Sequence, residues 1–259
     1  MHVLSAAEMQ ACDRATTERF GVPSILLMRA ASSAVATFAQ QYFPHERRVT
    51  VLCGRGNNGG DGMMTARLLV EAGLDVTTLL LGAPEELKGD AAHAWRELTS
   101  PMQGRAHVIA APADLVRHND ALDTDLIVDA VLGTGFKPPM KGLAVAALEW
   151  LRPSRAPVLA VDLPSGWPAD ETSATVDGPV FPADAVVTFT APKPAHVFGQ
   201  LTRRWDQPIV VAPIGSPASA RRMRRSCRLS ELIGPAPRSS LRKLRARLPR
   251  TRGTSGTCW

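Results

Sequence analysis

Short apolar runs alternate with longer amphipathic segments along most of the chain from Val49 onward. Several runs are rich in Val, Ile and Leu on both faces, a pattern that is typical of strands buried in a parallel sheet. Seven runs are predicted as strands: 49–53, 76–82, 106–110, 125–132, 157–163, 185–190 and 208–212. Their alternation with helices predicts an α/β fold, a three-layer α/β/α sandwich around a mostly parallel sheet.

Five segments carry the pattern of amphipathic helices. They are residues 6–20, 24–43, 62–73, 84–99 and 141–152. The first two precede the first strand, which predicts two N-terminal helices outside the strand–helix alternation. The first of them places Met9, Ala15 and Phe20 on one side, and the second is more apolar throughout.

The composition changes at about residue 216, where Arg, Ser, Pro and Thr follow in irregular order. Residues 1–220 hold 18 Lys and Arg against 23 Asp and Glu, a net charge of −5, whereas residues 221–259 hold 12 against 1, a net charge of +11. The basic segment has too few aliphatic residues for a second core, which predicts a disordered tail at 216–259 after one domain at 1–215. The net negative charge of residues 1–220 argues against a nucleic-acid partner.

The cysteines and the apolar runs indicate where the protein works. Four cysteines are scattered without a CxxC pair or a zinc-site spacing, which favours reduced thiols. No basic N-terminal leader precedes an apolar stretch, and no apolar run is long enough to span a membrane. We expect a cytoplasmic protein with no membrane partner.

A glycine-rich loop, GRGNNGGDG at 54–62, follows the first predicted strand and precedes a predicted helix. Such a loop can direct backbone N–H groups and a helix N-terminus at an anion. Gly54, Gly56 and Gly59 also match the GxGxxG pattern of dinucleotide-binding proteins, although that match alone is weak. The alternative is a tight turn in which Asp61 caps the following helix.

An oxidoreductase that binds a dinucleotide needs an acidic residue at the end of the second strand to hold the ribose. Here the second strand runs into Gly82-Ala83-Pro84, which argues against that function. A P-loop is excluded because no GK[ST] closes the glycine run.

Two further loops end predicted strands, DAVLGTGFKPP at 129–139 and VDLPSG at 161–166. Each begins near an acidic residue, Asp129 or Asp162, and carries glycines that let the backbone approach a ligand. The carboxyl ends of parallel strands meet at one edge of the sheet, where open α/β sheets bind ligands. Taken singly, each acid is as well explained by capping or turn formation.

Together with TFTAPK at 188–193, these motifs make the chain similar to the YjeF N-terminal domain family, the NAD(P)H-hydrate epimerases, over about residues 5–215. The resemblance implies a Rossmann-like sheet and an enzyme that interconverts the two C6 epimers of hydrated NADH or NADPH. A separate ADP- or ATP-dependent dehydratase would then restore the cofactor, and a homodimer is implied. In many bacterial relatives the dehydratase domain follows on the same chain, so residues 216–259 would be a remnant or frame-shifted start of one, or a genuine basic tail.

The resemblance also implies two sets of site residues. Substrate binding falls on Asn57, Asn58, Gly59, Gly60, Asp61, Gly133, Thr134, Gly135, Phe136, Lys137, Pro138, Pro139 and Asp162. A potassium ion is implied at Asn58, Asp129 and Ser165. An amide oxygen, one carboxylate and a hydroxyl are hard donors with little total charge, which suits a monovalent ion.

The implied reaction inverts a carbon that bears a hydroxyl and is bonded to nitrogen, so it needs proton delivery and removal without electron transfer. The predicted catalytic residues are Asp162, at the end of a buried strand, and Lys193, after the strand at 185–190. The alternative for Lys193 is a solvated loop lysine.

One segment departs from the family pattern. The second helix reads MRAAS at 28–32 where the family has a Met-Glu-Asn-Ala-Gly-like stretch, so a base, Arg29, replaces an acid.

Two other function classes stay open. A non-catalytic scaffold of the same domain type has no need of the four ligand-type side chains of Asn58, Asp129, Asp162 and Ser165. A nucleotide-dependent oxidoreductase is supported by GxGxxG alone.

Overall fold

The computed structural model describes residues 2–99, 105–217 and 219–220. Seven strands form one sheet in the order β3-β2-β1-β4-β5-β6-β7, and all pairs are parallel. The strands are β1 Arg48–Cys53, β2 Asp75–Leu81, β3 Arg105–Ile109, β4 Leu126–Ala130, β5 Val158–Val161, β6 Ala185–Phe189 and β7 Ile209–Ala212. The predicted α/β fold is therefore confirmed, and each predicted strand agrees with the structure to within two residues at either end.

The helices are α1 Ala6–Glu18, α2 Ser24–Tyr42, α3 Asn57–Glu71, α4 Gly89–Leu98, α5 Pro112–Arg117, α6 Leu143–Leu151 and α7 Pro194–Phe198. The two predicted N-terminal helices are confirmed. The prediction for α3 was wrong at its start, because the helix begins at Asn57, inside the glycine-rich segment. Helix α4 begins later than predicted, after a short 3-10 turn at Pro84–Glu86, and the short helices α5 and α7 were not predicted.

Both faces of the sheet are covered. Val51 and Val128 face a core shared with α2, α3 and α4, whereas the adjacent Leu52 and Ile127 face a core shared with α5 and α6. Successive side chains of a strand point to opposite faces, so a strand buried on both sides must be apolar throughout. This is the physical reason for the continuous apolar runs in the sequence.

The strand order places a switch point between β1 and β4. From β1 the chain builds outward through β2 and β3, then returns to pair β4 with the other side of β1. The connections on either side leave in opposite directions and open a crevice at the carboxyl ends of the strands. Helix α1 packs beside this edge, where the Leu4 N–H donates to Pro192 O at 3.0 Å and Met9 and Cys12 pack with Ala191.

The predicted basic tail begins at residue 216, and residues 221–259 lie outside the described part of the chain. The division into a domain and a tail therefore stays a prediction. Among the described helices, none combines the length and hydrophobicity that a membrane span requires.

Candidate active site

A cavity of about 760 Å³ opens at the carboxyl edge of the sheet, at the switch point. This volume lies within the range of small-molecule and cofactor sites. Its walls come from α1, α2, the segment after β1, the loop after β4 and the ends of β5 and β6. Asp162 and Lys193 both line it, as the sequence predicts.

The glycines after β1 are required by close backbone packing. A Cβ atom at Gly54 would lie 2.0 Å from Val131 O, and one at Gly59 would lie 1.8 Å from Gly54 O. Helix α3 starts at Asn57 with Gly56 as its N-cap and no capping side chain, so its first N–H groups remain available to an anion. The alternative in which Asp61 caps this helix is wrong, because Asp61 lies inside α3.

Asp162 is held in an uncommon backbone conformation directly after β5. Its φ is +67°, in the left-handed region that Asp and Asn tolerate better than most residues. The side chain is buried, and Oδ2 accepts hydrogen bonds from the N–H of Thr134, at 2.9 Å, and from its hydroxyl. Oδ1 accepts from Thr188 Oγ1 at 2.8 Å. The carboxylate is therefore fixed by one strand, β6, and by the loop after β4.

Lys193 completes this network as a buried ammonium group that is only 1% exposed. Its Nζ lies 2.6 Å from Asp162 Oδ1 and 2.7 Å from Thr188 Oγ1. The alternative of a solvated lysine is wrong. Burial alone would raise the pKa of Asp162, but the charge of Lys193, with the hydrogen bonds from Lys193 and Thr134, lowers it below its usual range. Asp162 is therefore ionised at neutral pH.

His196 contacts the backbone of both Asp162 and Lys193, and its ring is neutral. Its Nδ1 accepts a hydrogen bond from the Lys193 N–H at 3.0 Å, which leaves Nε2 as the protonated nitrogen that donates to Asp162 O at 2.8 Å. Burial and the nearby Lys193 charge lower its pKa to about 4. His196 thus positions the backbone of Asp162 and Lys193 rather than carrying charge.

The three predicted ion ligands meet beneath the loop after β4. Asp129 accepts from the Ser165 N–H at 2.7 Å and from Ser165 Oγ at 2.6 Å, and Ser165 Oγ lies 2.8 Å from the Leu132 nitrogen. Asn58 reaches the same loop, since its amide oxygen lies 3.0 Å from where a Cβ of Gly133 would be. The buried Asn58 Nδ2 has no hydrogen-bond partner among the described residues.

The predicted substrate-binding residues divide into three groups. Asn57, Asn58, Asp61, Gly133, Thr134, Gly135, Phe136 and Asp162 line the cavity. Gly59 and Gly60 are not among the lining residues and are closely packed, since a Cβ at Gly60 would lie 2.5 Å from the Met28 side chain. Lys137, Pro138 and Pro139 belong to the same loop but are not among the lining residues.

The wall formed by α1 was missed by sequence reasoning. Asp13, Arg14 and Glu18 line the cavity, and none of them belongs to a motif found in the sequence. Thr134 and Thr188 were also not predicted as partners of Asp162. Thr188 belongs to the TFTAPK motif, but a single threonine in a strand does not indicate a contact with Asp162.

The family departure in α2 is compensated locally. Arg29 forms an ion pair with Glu97 of α4 at 2.9 Å, and Arg67 also contacts Glu97. Ser32 Oγ lies 3.0 Å from Asp61 O and 2.8 Å from Met28 O. The substituted residues therefore hold α2 to α3 and α4.

Comparisons with known proteins agree with this geometry. The model of the family described as YjeF-related protein N-terminus matches residues 24–195. An NAD(P)H-hydrate epimerase of Limosilactobacillus fermentum is 37% identical over 199 residues, which cover 76% of this chain and 89% of the relative. A bifunctional NAD(P)H-hydrate repair enzyme of Moorella thermoacetica is 38% identical over 224 residues, covering 84% of this chain but 41% of the relative. The crystal structure of yeast ynu0 superposes with a TM-score of 0.70 at 26% identity, covering 82% of this chain and 88% of that one.

The fold and the cavity define a Rossmann-like α/β protein with a cavity at the switch point of a parallel sheet. The chain belongs to the family of YjeF-related N-terminal domains. The resemblance predicted from its loop motifs is confirmed.

Proposed function

We propose that this protein is an NAD(P)H-hydrate epimerase, an isomerase that repairs hydrated nicotinamide cofactors. The observation that carries the proposal is the buried Asp162–Lys193 pair at the end of a cofactor-sized cavity. The names of the relatives from Limosilactobacillus fermentum and Rhodopirellula baltica support the same activity.

The cavity offers complementary ends for a dinucleotide. The uncapped N-terminus of α3 supplies backbone N–H groups for the diphosphate, and Arg55 lies in the same wall. The hydrated ring would then lie beside Asp162 and Lys193. Two of the three N–H donors of Lys193 are used within the protein, so the third is available to a ligand oxygen.

The reaction follows from the chemistry of the hydrated ring. The C6–O bond breaks with its electron pair on oxygen, which takes a proton and leaves as water. The ring becomes an iminium cation, and water adds to the other face of C6 with loss of a proton. The Asp162 carboxylate, fixed and ionised, is placed to stabilise that cation, since preorganised charge in a closed site is a large source of catalysis.

The direct test is an assay of purified protein on the hydrate epimer that the dehydratase does not use. A separate ATP- or ADP-dependent dehydratase then reports the conversion by forming NADH or NADPH. A rate well above the spontaneous one supports the proposal, and a rate equal to the background contradicts it.

A potassium ion held by Asn58, Asp129 and Ser165 is part of the proposal. The donor set fits, because Asp129 supplies a carboxylate, Ser165 a hydroxyl and Asn58 an amide oxygen. Among the described residues no group of three His, Cys, Asp or Glu side chains is arranged for a divalent metal. A bound cation would balance the Asp129 charge and hold the loops after β4 and β5 together.

Potassium is expected to raise the melting temperature of the protein relative to tetramethylammonium at equal ionic strength. At a concentration tenfold above Kd, a bound ion adds about 1.4 kcal/mol of stability, a shift of a few degrees. Asp129→Asn removes the charge and should abolish the difference, whereas the exposed Asp120→Asn should retain it. A shift that persists in Asp129→Asn would exclude Asp129 as a ligand.

The remaining parts of the proposal come from the resemblance and the relatives. We place the protein in the cytoplasm, as a homodimer, upstream of a separate dehydratase. Bifunctional relatives from Moorella thermoacetica and Salinibacter ruber are named as hydrate repair enzymes. The oxidoreductase alternative has only the GxGxxG match in its favour, because β2 ends at Leu81 and runs into Gly82, Ala83 and Pro84 without an acid.

A further inference from the structure

Helix α1 brings a second carboxyl group, that of Asp13, into the cavity that holds Asp162 and Lys193. Its Oδ1 is buried and has no hydrogen-bond partner among the described residues. A buried carboxyl oxygen without a partner is costly, so it is retained only where something else requires it. The family match begins at residue 24, after α1, and none of the loop motifs that carry the resemblance includes Asp13.

We propose that Asp13 is the group that delivers and recovers the proton in the epimerisation. This inference rests on the proposed function and assigns a catalytic residue to the same cavity. In its acid form Asp13 donates a proton to the C6 hydroxyl as the C6–O bond breaks, giving water and the ring cation. Addition of water to the other face releases one proton, which returns the Asp13 carboxylate to its acid form.

The division of roles follows from the different surroundings of the two acids. Asp162 is fixed by Lys193, Thr188 and Thr134 and stays ionised, so it is a poor proton donor. Burial, and to a lesser extent the negative charge of Asp162, raise the pKa of Asp13 to about 6, against the attraction of Lys193. A carboxyl with a pKa near the working pH is suited to exchange protons in both directions.

Other charged groups line the same cavity and are part of the electrostatic surroundings in which Asp13 titrates. They are Arg14 and Glu18 of α1, Arg55 and Asp61 from the segment after β1, Asp90 of α4, and Asp162 and Lys193 from the sheet edge. Asp61 and Asp13 repel each other, and burial raises the pKa of Asp61 as well. The pH profile of a variant, rather than that of the wild type alone, therefore assigns the titration to Asp13.

The test compares Asp13→Asn with the wild type and with Asp177→Asn, an exposed acid outside the cavity lining. Asp13→Asn is expected to lower kcat by about 10²- to 10⁴-fold with a smaller change in KM. The wild-type profile of kcat/KM should fall as pH rises through about 6, and this limb should be missing in the variant. Asp177→Asn should keep the wild-type rate and profile.

A stability measurement separates catalysis from a structural role. Because the folded-state pKa is raised from 3.8 to about 6, ionising Asp13 destabilises the fold increasingly as pH rises between these values. Asp13→Asn should therefore melt at or above the wild-type temperature at pH 7. A structural residue would instead give a lower melting temperature at every pH.

Each outcome decides the inference. A wild-type enzyme that does not epimerise the hydrate contradicts the proposed function, and this inference with it. An active wild type with an equally active Asp13→Asn overturns the role of Asp13 alone, as does a pH limb that survives the substitution. If Asp13→Asn cannot be purified, Asp13→Glu decides: a lower kcat with the limb retained supports the role, and an unchanged kcat overturns it.

Discussion

Replacing Asp162 with asparagine is expected to reduce the epimerase rate by about 10²- to 10³-fold while the fold survives. Asparagine tolerates the left-handed backbone at φ +67° and has nearly the same shape. It loses the negative charge, however, so the buried ammonium of Lys193 loses its anionic partner, and in either orientation the amide NH2 group would face a donor that now binds the carboxylate. The ring cation would therefore lose its stabilising charge, and the loop that contacts the substrate would shift.

The measurement is the rate of epimerisation of the hydrate epimer that the dehydratase does not use. A coupled dehydratase reports this rate, and circular dichroism checks that the variant is folded. Asp177→Asn is the control: it removes an exposed carboxylate that does not line the cavity, and it should keep full activity. A folded Asp162→Asn protein with the wild-type rate would remove Asp162 from the mechanism.

Replacing Lys193 with methionine should lower the free energy of unfolding strongly. The methionine fills a similar volume, but it leaves the buried Asp162 without its ammonium partner, and breaking a buried ion pair from one side costs about 3 to 5 kcal/mol. The double variant Asp162→Asn with Lys193→Met should recover part of that loss, because no unpaired charge remains. Lys141→Met, at an exposed lysine, is the control.

The effect of pH on this loss has a defined sign. In the wild type the lowered pKa of Asp162 contributes stability that is present above the ordinary carboxyl pKa and is lost as pH falls. Without Lys193, burial raises that pKa, so the ionised carboxylate destabilises the variant more as pH rises. The deficit measured by urea unfolding should thus be larger at pH 8 than at pH 5. An equal deficit at both values would argue against an unpaired Asp162.

The sheet could be predicted from the sequence because burial on both faces leaves each strand apolar. The helix α3 could not be placed correctly, because glycines at Gly59 and Gly62 lower helix propensity. In the structure they are needed where α3 presses against the sheet: a Cβ at Gly62 would lie 2.4 Å from the Ala130 side chain. The short helices α5 and α7 span about one turn or two, too little for a hydrophobic period to appear.

The candidate site was predictable only where a strand end carries it. Asp129 lies near the end of β4 and Asp162 directly follows β5, so both stand out from apolar strands, and the sheet geometry then brings their loops together. Asp13 lies on an ordinary amphipathic helix, and its place in the cavity depends on where α1 crosses the sheet edge. That placement follows from long-range packing of Met9 and Cys12 against Ala191, which no local pattern encodes.

The contact between Leu4 and Pro192 joins nearly the first and nearly the last described parts of the chain. During synthesis α1 leaves the ribosome before any strand exists, and its partners after β6 are made only when six of the seven strands are complete. Contacts so distant in sequence form late, because the intervening chain must first be ordered. A nascent chain that ends just before β6 thus holds the loops after β4 and β5 but lacks a wall of its cavity. If the proposed function is correct, dinucleotide binding therefore requires the chain through β6 and α7, so a bound dinucleotide would report that this domain has folded.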